Sequence, residues 1–389
     1  MAKFVVVGAT GFIGRHVVAT LLERRHTVVG VHRGKAPSSL DGQSRFESVK
    51  ADLTKMQKAE SWTPILDGVD AVINCDNTQS APPALFEACS KLNVTRFLQI
   101  SDAQQDNEAL TESDLDWVIV RPSLVYARGF FGGSSSLHSM AAFPGAILLP
   151  GDGQQKFQPI YIGDVVGIIC ELCEASSFSR KVIEPVGPET LTLKEILLKL
   201  RRWLDVPRDT TVSLPSWFLT GMGIAQIQTS EATTTQPFRG LFAPAARSMD
   251  DVLIARPANT GDRRAARFAL LAPVITTVLF LSWIASGLLG FAFGMPAAED
   301  VVTVFGLSAT DPRLVAWITS GWNVLLGLVL LTPLRTGLLT GLQLLTVLVY
   351  TIVLSIAHPQ LWLDPFGPLL KNIPILLLIG IWAMFRSRR

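Results

Sequence analysis

The chain has 389 residues, enough for two or three domains, and 49% of them are hydrophobic, which is high for a purely soluble protein. The formal net charge is only +2, and the Lys and Arg residues form no patch that would neutralise phosphates, which argues against nucleic acid as a partner. The four cysteines precede the apolar C-terminal third, in a part that we expect to be cytosolic, so no disulfide framework is predicted.

Short β-branched runs alternate with helical patterns from residue 1 to residue 204. The predicted strands cover residues 4–7, 27–32, 71–74, 97–101 and 117–121, and the predicted helices cover 15–24, 85–92 and 165–175. Pro185-Val-Gly-Pro188 is typical of a turn that leads into a helix ending near Leu204. Alternation of this kind implies right-handed crossovers between parallel strands. We therefore predict an α/β Rossmann fold, with a doubly wound parallel sheet.

Residues 205–262 show no sustained period of either kind and are rich in Ser, Thr, Pro and Ala around 229–237. We interpret them as a linker between a domain at 1–204 and a second domain at 263–389. Within this linker, residues 215–219 begin either an amphipathic segment at a membrane surface or a short docking helix.

Four long apolar runs dominate the rest of the chain. They cover residues 268–293, 314–333, 337–357 and 369–385. A hydrocarbon core is about 30 Å thick and a helix rises roughly 1.5 Å per residue, so the first three are long enough to cross it. The fourth is shorter and carries Lys371 and Asn372 near its start. The pattern predicts an all-α, four-helix transmembrane domain.

The charges in the loops set the predicted orientation of these helices. Arginines lie at positions 263, 264 and 267 before the first run, at 335 between the second and third, and at 386, 388 and 389 after the fourth. The other two loops hold Glu299, Asp300, Asp311 and Asp364 with only Arg313. Basic loops stay in the cytoplasm. We therefore predict a multi-pass protein of the bacterial inner (plasma) membrane, with the N-terminal domain and both termini cytoplasmic.

A glycine-rich turn, Gly8-Ala-Thr-Gly11-Phe-Ile-Gly14, lies directly between the first predicted strand and the first predicted helix. Glycines at such a bend let the backbone approach a pyrophosphate, whose charge is met by unpaired N–H groups at the helix N-terminus. The predicted contacts to a nicotinamide dinucleotide come from Gly8, Thr10, Gly11, Phe12, Ile13 and Gly14.

The G-x-x-G-x-x-G spacing resembles the extended and atypical short-chain dehydrogenase/reductase families. Further matches are Ala51-Asp52-Leu53, Val118-Ile-Val-Arg-Pro-Ser-Leu-Val-Tyr126, Ile160-Tyr-Ile-Gly-Asp164 and Gly187-Pro-Glu-Thr-Leu-Thr192, together covering about residues 1–205. Within the superfamily, the pattern looks most like the NmrA-like group and the Rossmann-type accessory subunit of respiratory complex I. The resemblance implies additional cofactor contacts from Asp52, Leu53, Ser101 and Pro122.

The end of the second predicted strand bears on cofactor choice. An acidic residue there usually accepts hydrogen bonds from the ribose hydroxyls of NAD, but this chain has Val31-His32-Arg33-Gly34. An arginine favours the 2′-phosphate of NADP. We predict that NADP(H) is preferred and NAD(H) is the alternative cofactor, although Arg33 has a second interpretation as a solvated loop residue.

The usual catalytic pair of the superfamily is missing from the sequence. Its members use a Tyr acidified by a Lys four positions later, because an unassisted phenol is a poor proton donor at neutral pH. The chain has three tyrosines, at 126, 161 and 350, followed four positions on by Phe130, Val165 and Leu354. Ser101 matches the family's catalytic serine, but residues 102–120 are too few for the usual catalytic helix. Ser101 and Tyr126 are the remaining candidates, and Ser101 also fits a strand-end hydroxyl near the nicotinamide.

No metal site is predicted. Cys170 and Cys173 lie in an apolar helical pattern without a second pair or a nearby histidine, which favours core packing. The acidic residues between 102 and 116 fit a solvated loop. In the membrane part, Asn323 and His358 are the candidates for an intramembrane site, although polar residues there more often hold helices together. The four helices resemble DoxX-like membrane domains in number and placement.

These features predict a membrane-anchored NAD(P)H-binding protein that lacks standard dehydrogenase chemistry, with a role in cofactor sensing or in a respiratory or quinone-linked assembly. One alternative is an NAD(P)H-dependent oxidoreductase acting on a quinone or another lipophilic substrate, with a proton donor from Ser101, Tyr126 or the membrane domain. The other is a transporter-like membrane domain regulated by the Rossmann domain, for which charged residues within the helices are expected and are nearly missing.

Overall fold

The computed structural model describes residues 1–34, 42–76, 81–101, 108–128, 133–174, 179–215, 246–307, 309–332, 334, 336–365 and 367–386. The chain divides into two compact units, Met1–Ala266 and Arg267–Arg389.

The first unit alternates strands and helices. Its strands are β1 (Lys3–Val7), β2 (Thr27–His32), β3 (Phe46–Lys50), β4 (Ala71–Asn74), β5 (Arg96–Ile100), β6 (Trp117–Val120), β7 (Val125–Tyr126), β8 (Ile147–Pro150), β9 (Lys156–Phe157), β10 (Ile160–Tyr161), β11 (Lys181–Ile183), β12 (Leu191–Thr192) and β13 (Thr211–Leu214). Its helices are α1 (Phe12–Glu23), α2 (Thr63–Leu66), α3 (Pro83–Lys91), α4 (Glu108–Thr111), α5 (Gly133–Ala141), α6 (Ile162–Glu174), α7 (Leu193–Trp203) and α8 (Met249–Ala255).

Seven of these strands form one parallel sheet in the order β11-β6-β5-β4-β1-β2-β3. Side chains of β1 alternate between two separate buried cores: Phe4 and Val6 belong to one, and Val5 and Val7 to the other. This two-residue period shows that both faces of the sheet are covered, as in a doubly wound fold. The predicted Rossmann architecture is confirmed.

The helix predicted to end near Leu204 is α7, and its start is fixed by the sequence. The Thr192 hydroxyl accepts from the backbone N–H of Glu195 (3.2 Å), and the Glu195 carboxylate accepts from the backbone N–H of Thr192 (2.7 Å). This reciprocal capping satisfies two helix-end donors that have no intrahelical partner. The cap at Thr192 lies four residues after the end of the predicted turn at 185–188.

The interpretation of residues 205–262 as a linker differs from the structure in two described segments. Strand β13 pairs with β8, and helix α8 buries Met249 and Val252 in the core of the first unit. The unit therefore extends to Ala266 and not only to residue 204. Segments of four and seven residues are too short to show a period in the sequence. Of the proposed amphipathic segment at 215–219, all but Pro215 lie outside the described residues.

The remaining helices are α9 (Thr260–Phe293), α10 (Met295–Val304), α11 (Pro312–Val329), α12 (Thr336–Ala357) and α13 (Asn372–Arg386). All four predicted apolar helices are present, and the short α10 was not predicted. Among the described residues, α9 and α12 are long and apolar enough to cross a membrane, whereas α13 is a shorter apolar helix. Fifteen residues span roughly 22 Å, less than a typical hydrocarbon core.

Small and polar residues hold the apolar helices together. A Cβ on Gly287 would meet Val324 Cγ2 at 2.5 Å, so glycine permits close packing of α9 against α11. The indole N–H of Trp283 donates to Gln343 Oε1 (3.1 Å) between α9 and α12. The side-chain amide of Asn323 donates to Ser286 Oγ (3.3 Å) and accepts from the Tyr350 hydroxyl (3.2 Å). These bonds agree with a packing role for Asn323.

Candidate functional site

The strand order reverses at β1, and this is where the glycine turn lies. From β1 the chain builds β2 and β3 on one side and then returns to β4 on the other. Crevices at such switch points, at the carboxyl ends of the strands, are the usual ligand sites of open α/β sheets. Gly8 follows β1 with φ +75°, and a Cβ there would lie 2.9 Å from the backbone N of Asp76, which follows β4. Glycine is therefore required at the crevice.

The other two glycines shape the turn into α1. The backbone N–H of Gly11 donates to Gly8 O (2.8 Å), and a Cβ on Gly14 would lie 2.2 Å from the same oxygen. Gly11 caps α1 without a side-chain hydrogen bond, and the first turn contains no acidic residue. The N–H groups of Phe12, Ile13 and Gly14 are thus the helix-end donors that a diphosphate needs.

Arg33 lies at the end of β2 beside acidic groups. Its side chain is 49% exposed, and Nη2 is 3.9 Å from Asp76 Oδ2. Hydrogen bonds from the Thr54 hydroxyl and backbone N–H lower the pKa of Asp52, and the charge of Arg33 adds a smaller effect in the same direction. The neighbouring Leu53 is buried in the core on one face of the sheet. Arg33 thus lies close to Asp76 and within electrostatic range of Asp52.

Ser101 and Pro122 follow the neighbouring strands β5 and β6, so both lie at the carboxyl edge of the sheet. Ser101 is buried, and its backbone N–H donates to Val120 O (3.0 Å). The described part of the stretch between β5 and β6 holds only the four-residue helix α4, and residues 102–107, with Asp102 and Asp106, lie outside the described residues.

Tyr126 is buried on β7, and its hydroxyl has no hydrogen-bond partner among the described residues. Burial, followed by the negative charge of Asp164, raises the pKa of this phenol well above its usual range. A raised pKa is the opposite of the activation that a catalytic tyrosine requires.

A second charged group beside Tyr126 was missed by the sequence analysis. Arg247 donates from Nη2 (2.7 Å) and Nε (3.0 Å) to Asp164 Oδ1, and its guanidinium lies 4.9 Å from the ring centroid of Tyr161. The ring centroids of Tyr161 and Tyr126 are 5.8 Å apart. Arg247 lies in the segment that was interpreted as a linker, and no local signal in the sequence marks it.

The remaining sequence candidates lie outside this edge. Burial raises the pKa of the Cys170 thiol to about 12, in agreement with core packing. His358 Nε2 lies 3.2 Å from Asp300 Oδ2. His358 follows α12 and Asp300 lies in α10, so this contact connects the two helices and gives His358 a structural role.

Two family models match separate parts of the chain. Residues 8–109 match the family described as NAD(P)H-binding, and residues 280–380 match the DoxX-like family. The first match contains the glycine turn and Arg33, and the second contains most of the apolar helices.

Two relatives match about half of the chain at low identity. The mitochondrial NADH-ubiquinone oxidoreductase 40 kDa subunit of Neurospora crassa is 24% identical over 233 residues, which is 52% of this chain and 62% of that protein. An uncharacterised protein of Mycobacterium tuberculosis is 23% identical over 214 residues, which is 51% of this chain and 23% of that protein. The chain therefore spans less than a quarter of the mycobacterial relative and less than two thirds of the fungal one.

Two solved structures superimpose on part of the chain. MoeE5 in complex with UDP-glucose and NAD superimposes with a TM-score of 0.52 at 17% identity, covering 69% of this chain and 99% of that chain. The UDP-glucuronic acid 4-epimerase of Bacillus cereus in complex with UDP-glucuronic acid and NAD gives a TM-score of 0.46 at 20% identity, covering 55% and 86%. The DoxX-like match and the two long apolar helices indicate association with a membrane. The chain thus combines an NAD(P)H-binding domain of Rossmann fold and a C-terminal DoxX-like domain.

Proposed function

We propose that this protein binds NADPH in preference to NADH at the surface of a membrane, without the standard hydride-transfer chemistry of its superfamily. Its role is to sense the cofactor or to support a respiratory or quinone-linked assembly. The observation that carries the proposal is the turn Gly8–Gly14 at the strand-order switch point, where α1 begins without a side-chain cap. Such a turn suits the diphosphate of a dinucleotide.

Two observations support binding without turnover. The sequence contains no Tyr-x-x-x-Lys, and the pKa of the buried Tyr126 is raised, so this phenol does not exchange a proton readily at neutral pH. A bound cofactor is useful even so, because it stabilises the state that binds it and can thereby shift a partner interface.

The preference for NADPH rests on Arg33. Its half-exposed guanidinium lies at the end of β2, 3.9 Å from Asp76, at the position where an arginine would meet a 2′-phosphate. Arg33→Ala should weaken NADPH binding about tenfold and NADH binding less than about twofold. Arg202→Ala, a change on the exposed face of α7, is the matched control. Equal losses for the two cofactors would refute the preference.

The proposed location is the bacterial inner membrane, with four crossings and both termini in the cytoplasm. Arginines flank the apolar helices on the side assigned to the cytoplasm, and acidic residues dominate the other loops. This orientation places the Rossmann domain where cytosolic NADPH can reach it. The test replaces Asp311 or Arg335 by cysteine and adds a thiol reagent that does not cross membranes to intact cells. Labelling is expected at position 311 but not at position 335.

The second candidate is an oxidoreductase that acts on a quinone or a similar lipophilic substrate. The fungal relative is named as an NADH-ubiquinone oxidoreductase subunit, and Ser101 lies at the carboxyl edge of the sheet. One assay separates the two candidates: detergent-purified protein is titrated with NADPH, and the absorbance of the reduced cofactor is then followed with added quinones. Binding without oxidation supports the first candidate, and turnover supports the second.

A further inference from the structure

A cavity of about 570 Å³ lies in the first unit, between α7, α8 and the first turn of α9. One wall is apolar and includes Leu198, Leu253, Ile254 and Pro257. Ile254 is 78% exposed, which is unusual for an isoleucine that faces only water. The volume is in the range of small-molecule sites, and this wall suits the apolar part of an amphiphile.

The lining also includes the cations Lys199, Arg202 and Arg263. Arg263 Nη2 lies 3.1 Å from Asp205 Oδ2, but Asp205 is 75% exposed, so this pair is a weak surface contact. The Nε–H of Arg263 is buried and has no hydrogen-bond partner among the described residues. A buried donor of this kind calls for an acceptor that the described side chains do not supply.

The two carboxylates of the lining are already bound by other groups. Glu195 accepts from Thr192 at the cap of α7, and Asp250 is paired with Lys199. Neither carboxylate forms a hydrogen bond or an ion pair with Arg263 among the described residues. The cavity can therefore accept an additional anion at Arg263 without first breaking a buried ion pair.

The position of Arg263 along α9 indicates the source of that anion. Arg263 is the fourth residue of α9, and the apolar run begins five residues later at Phe268, a rise of roughly 7.5 Å along the helix. A cation at this distance from a membrane-crossing segment lies at the level of lipid head groups. The same cavity offers apolar side chains for the glycerol and the upper acyl carbons.

We propose that this cavity binds the head group of an anionic phospholipid, with its phosphate on Arg263 and its apolar part against Leu253, Ile254 and Pro257. The site is separate from the glycine turn and requires only that α9 enters a membrane. It does not depend on dinucleotide binding.

The test uses the full chain in detergent and counts bound phosphatidylglycerol by native mass spectrometry. Arg263→Gln should weaken retention of one lipid about fivefold, as expected for one lost cation near a head group. Arg264→Gln removes the same charge from the next residue, which does not line the cavity, and should change retention less than about twofold. Equal losses for the two variants would overturn the proposal.

Two further measurements keep the result decisive. Ile254→Ser alters only an exposed apolar side chain, so it should lower lipid retention and leave the fold intact. Inorganic phosphate is the competing probe: if millimolar phosphate displaces the lipid, the cavity is a site for free anions and the lipid proposal fails. NADPH titration of the same samples reports the glycine turn separately, so loss of cofactor binding and loss of lipid binding are distinguished.

Discussion

Arg128 and Asp262 link the Rossmann fold to the start of the long apolar helix. Arg128 lies two residues after Tyr126 and donates from Nε (3.1 Å) and Nη2 (2.9 Å) to Asp262 Oδ2. The same carboxylate accepts from the backbone N–H of Asn259 (2.8 Å), while Asn259 Oδ1 accepts from the backbone N–H of Asp262 (2.8 Å). One carboxylate therefore caps α9 and ties it to the strand that carries Tyr126.

Breaking this link should destabilise the first unit. Asp262→Asn and Arg128→Gln are each expected to lower the free energy of unfolding by about 1–2 kcal/mol, because each removes the partly buried ion pair, and Asp262→Asn also weakens the helix cap. Urea titration in detergent micelles measures the effect. A double-mutant cycle on Arg128 and Asp262 should give a coupling free energy larger than that of the exposed pair Arg202–Asp209. For this control pair, less than about 0.5 kcal/mol is expected. A coupling no larger than this control would contradict the account.

Arg201 holds several loops together by donating to carbonyl groups. The residue is fully buried, and its guanidinium donates to the backbone oxygens of Ala141, Phe143, Gly145, Pro207 and Arg208. Arg201→Met fills similar space but leaves these acceptors without a donor, so we expect a loss of about 3–5 kcal/mol in unfolding free energy. Arg202→Met, on the exposed side of the same helix, should change it by less than about 0.5 kcal/mol. Similar effects at the two positions would show that the carbonyl contacts matter little.

The buried thiols should be unreactive in the folded protein. Burial disfavours the charged thiolate and raises the pKa of Cys89 and of Cys170 to about 12. At about pH 9 only about a thousandth of each thiol is then ionised, whereas an unfolded thiol is largely ionised. Iodoacetamide at this pH should modify both residues quickly in urea and slowly without it, as measured by peptide mass spectrometry. Rapid modification of folded Cys170 would show that the thiol is accessible or acidified.

Some of the fold is encoded in local patterns. The strands β2 and β4 have the bounds that were predicted from their β-branched runs, and α7 follows its predicted turn and ends at Trp203, next to Leu204. The glycine turn was recognised because Gly8, Gly11 and Gly14 meet a backbone requirement that other residues cannot satisfy. In each case neighbouring residues carry the signal.

Other features depend on contacts between distant residues. Strand β3 has exposed positions on an edge of the sheet and lacks the apolar run that marks central strands. Arg247 and Asp164 are separated by 83 positions, and only the folded chain brings them to Tyr161. Likewise, only the folded chain brings Arg263 together with residues of α7 and α8 in the lining of one cavity. Periodicity within a window cannot detect such pairs.

Calorimetric titration of the full chain with NADPH and NADH is the most direct test of dinucleotide binding at the glycine turn. The predicted result is one site per chain, with NADPH bound more tightly, and loss of binding in Gly14→Ala because the new Cβ would lie 2.2 Å from Gly8 O. Gly167→Ala, in α6 with no atom within 4 Å of the added Cβ, should bind like the wild type. If neither cofactor associates with the wild-type protein, or if Gly14→Ala binds equally well, the account is contradicted.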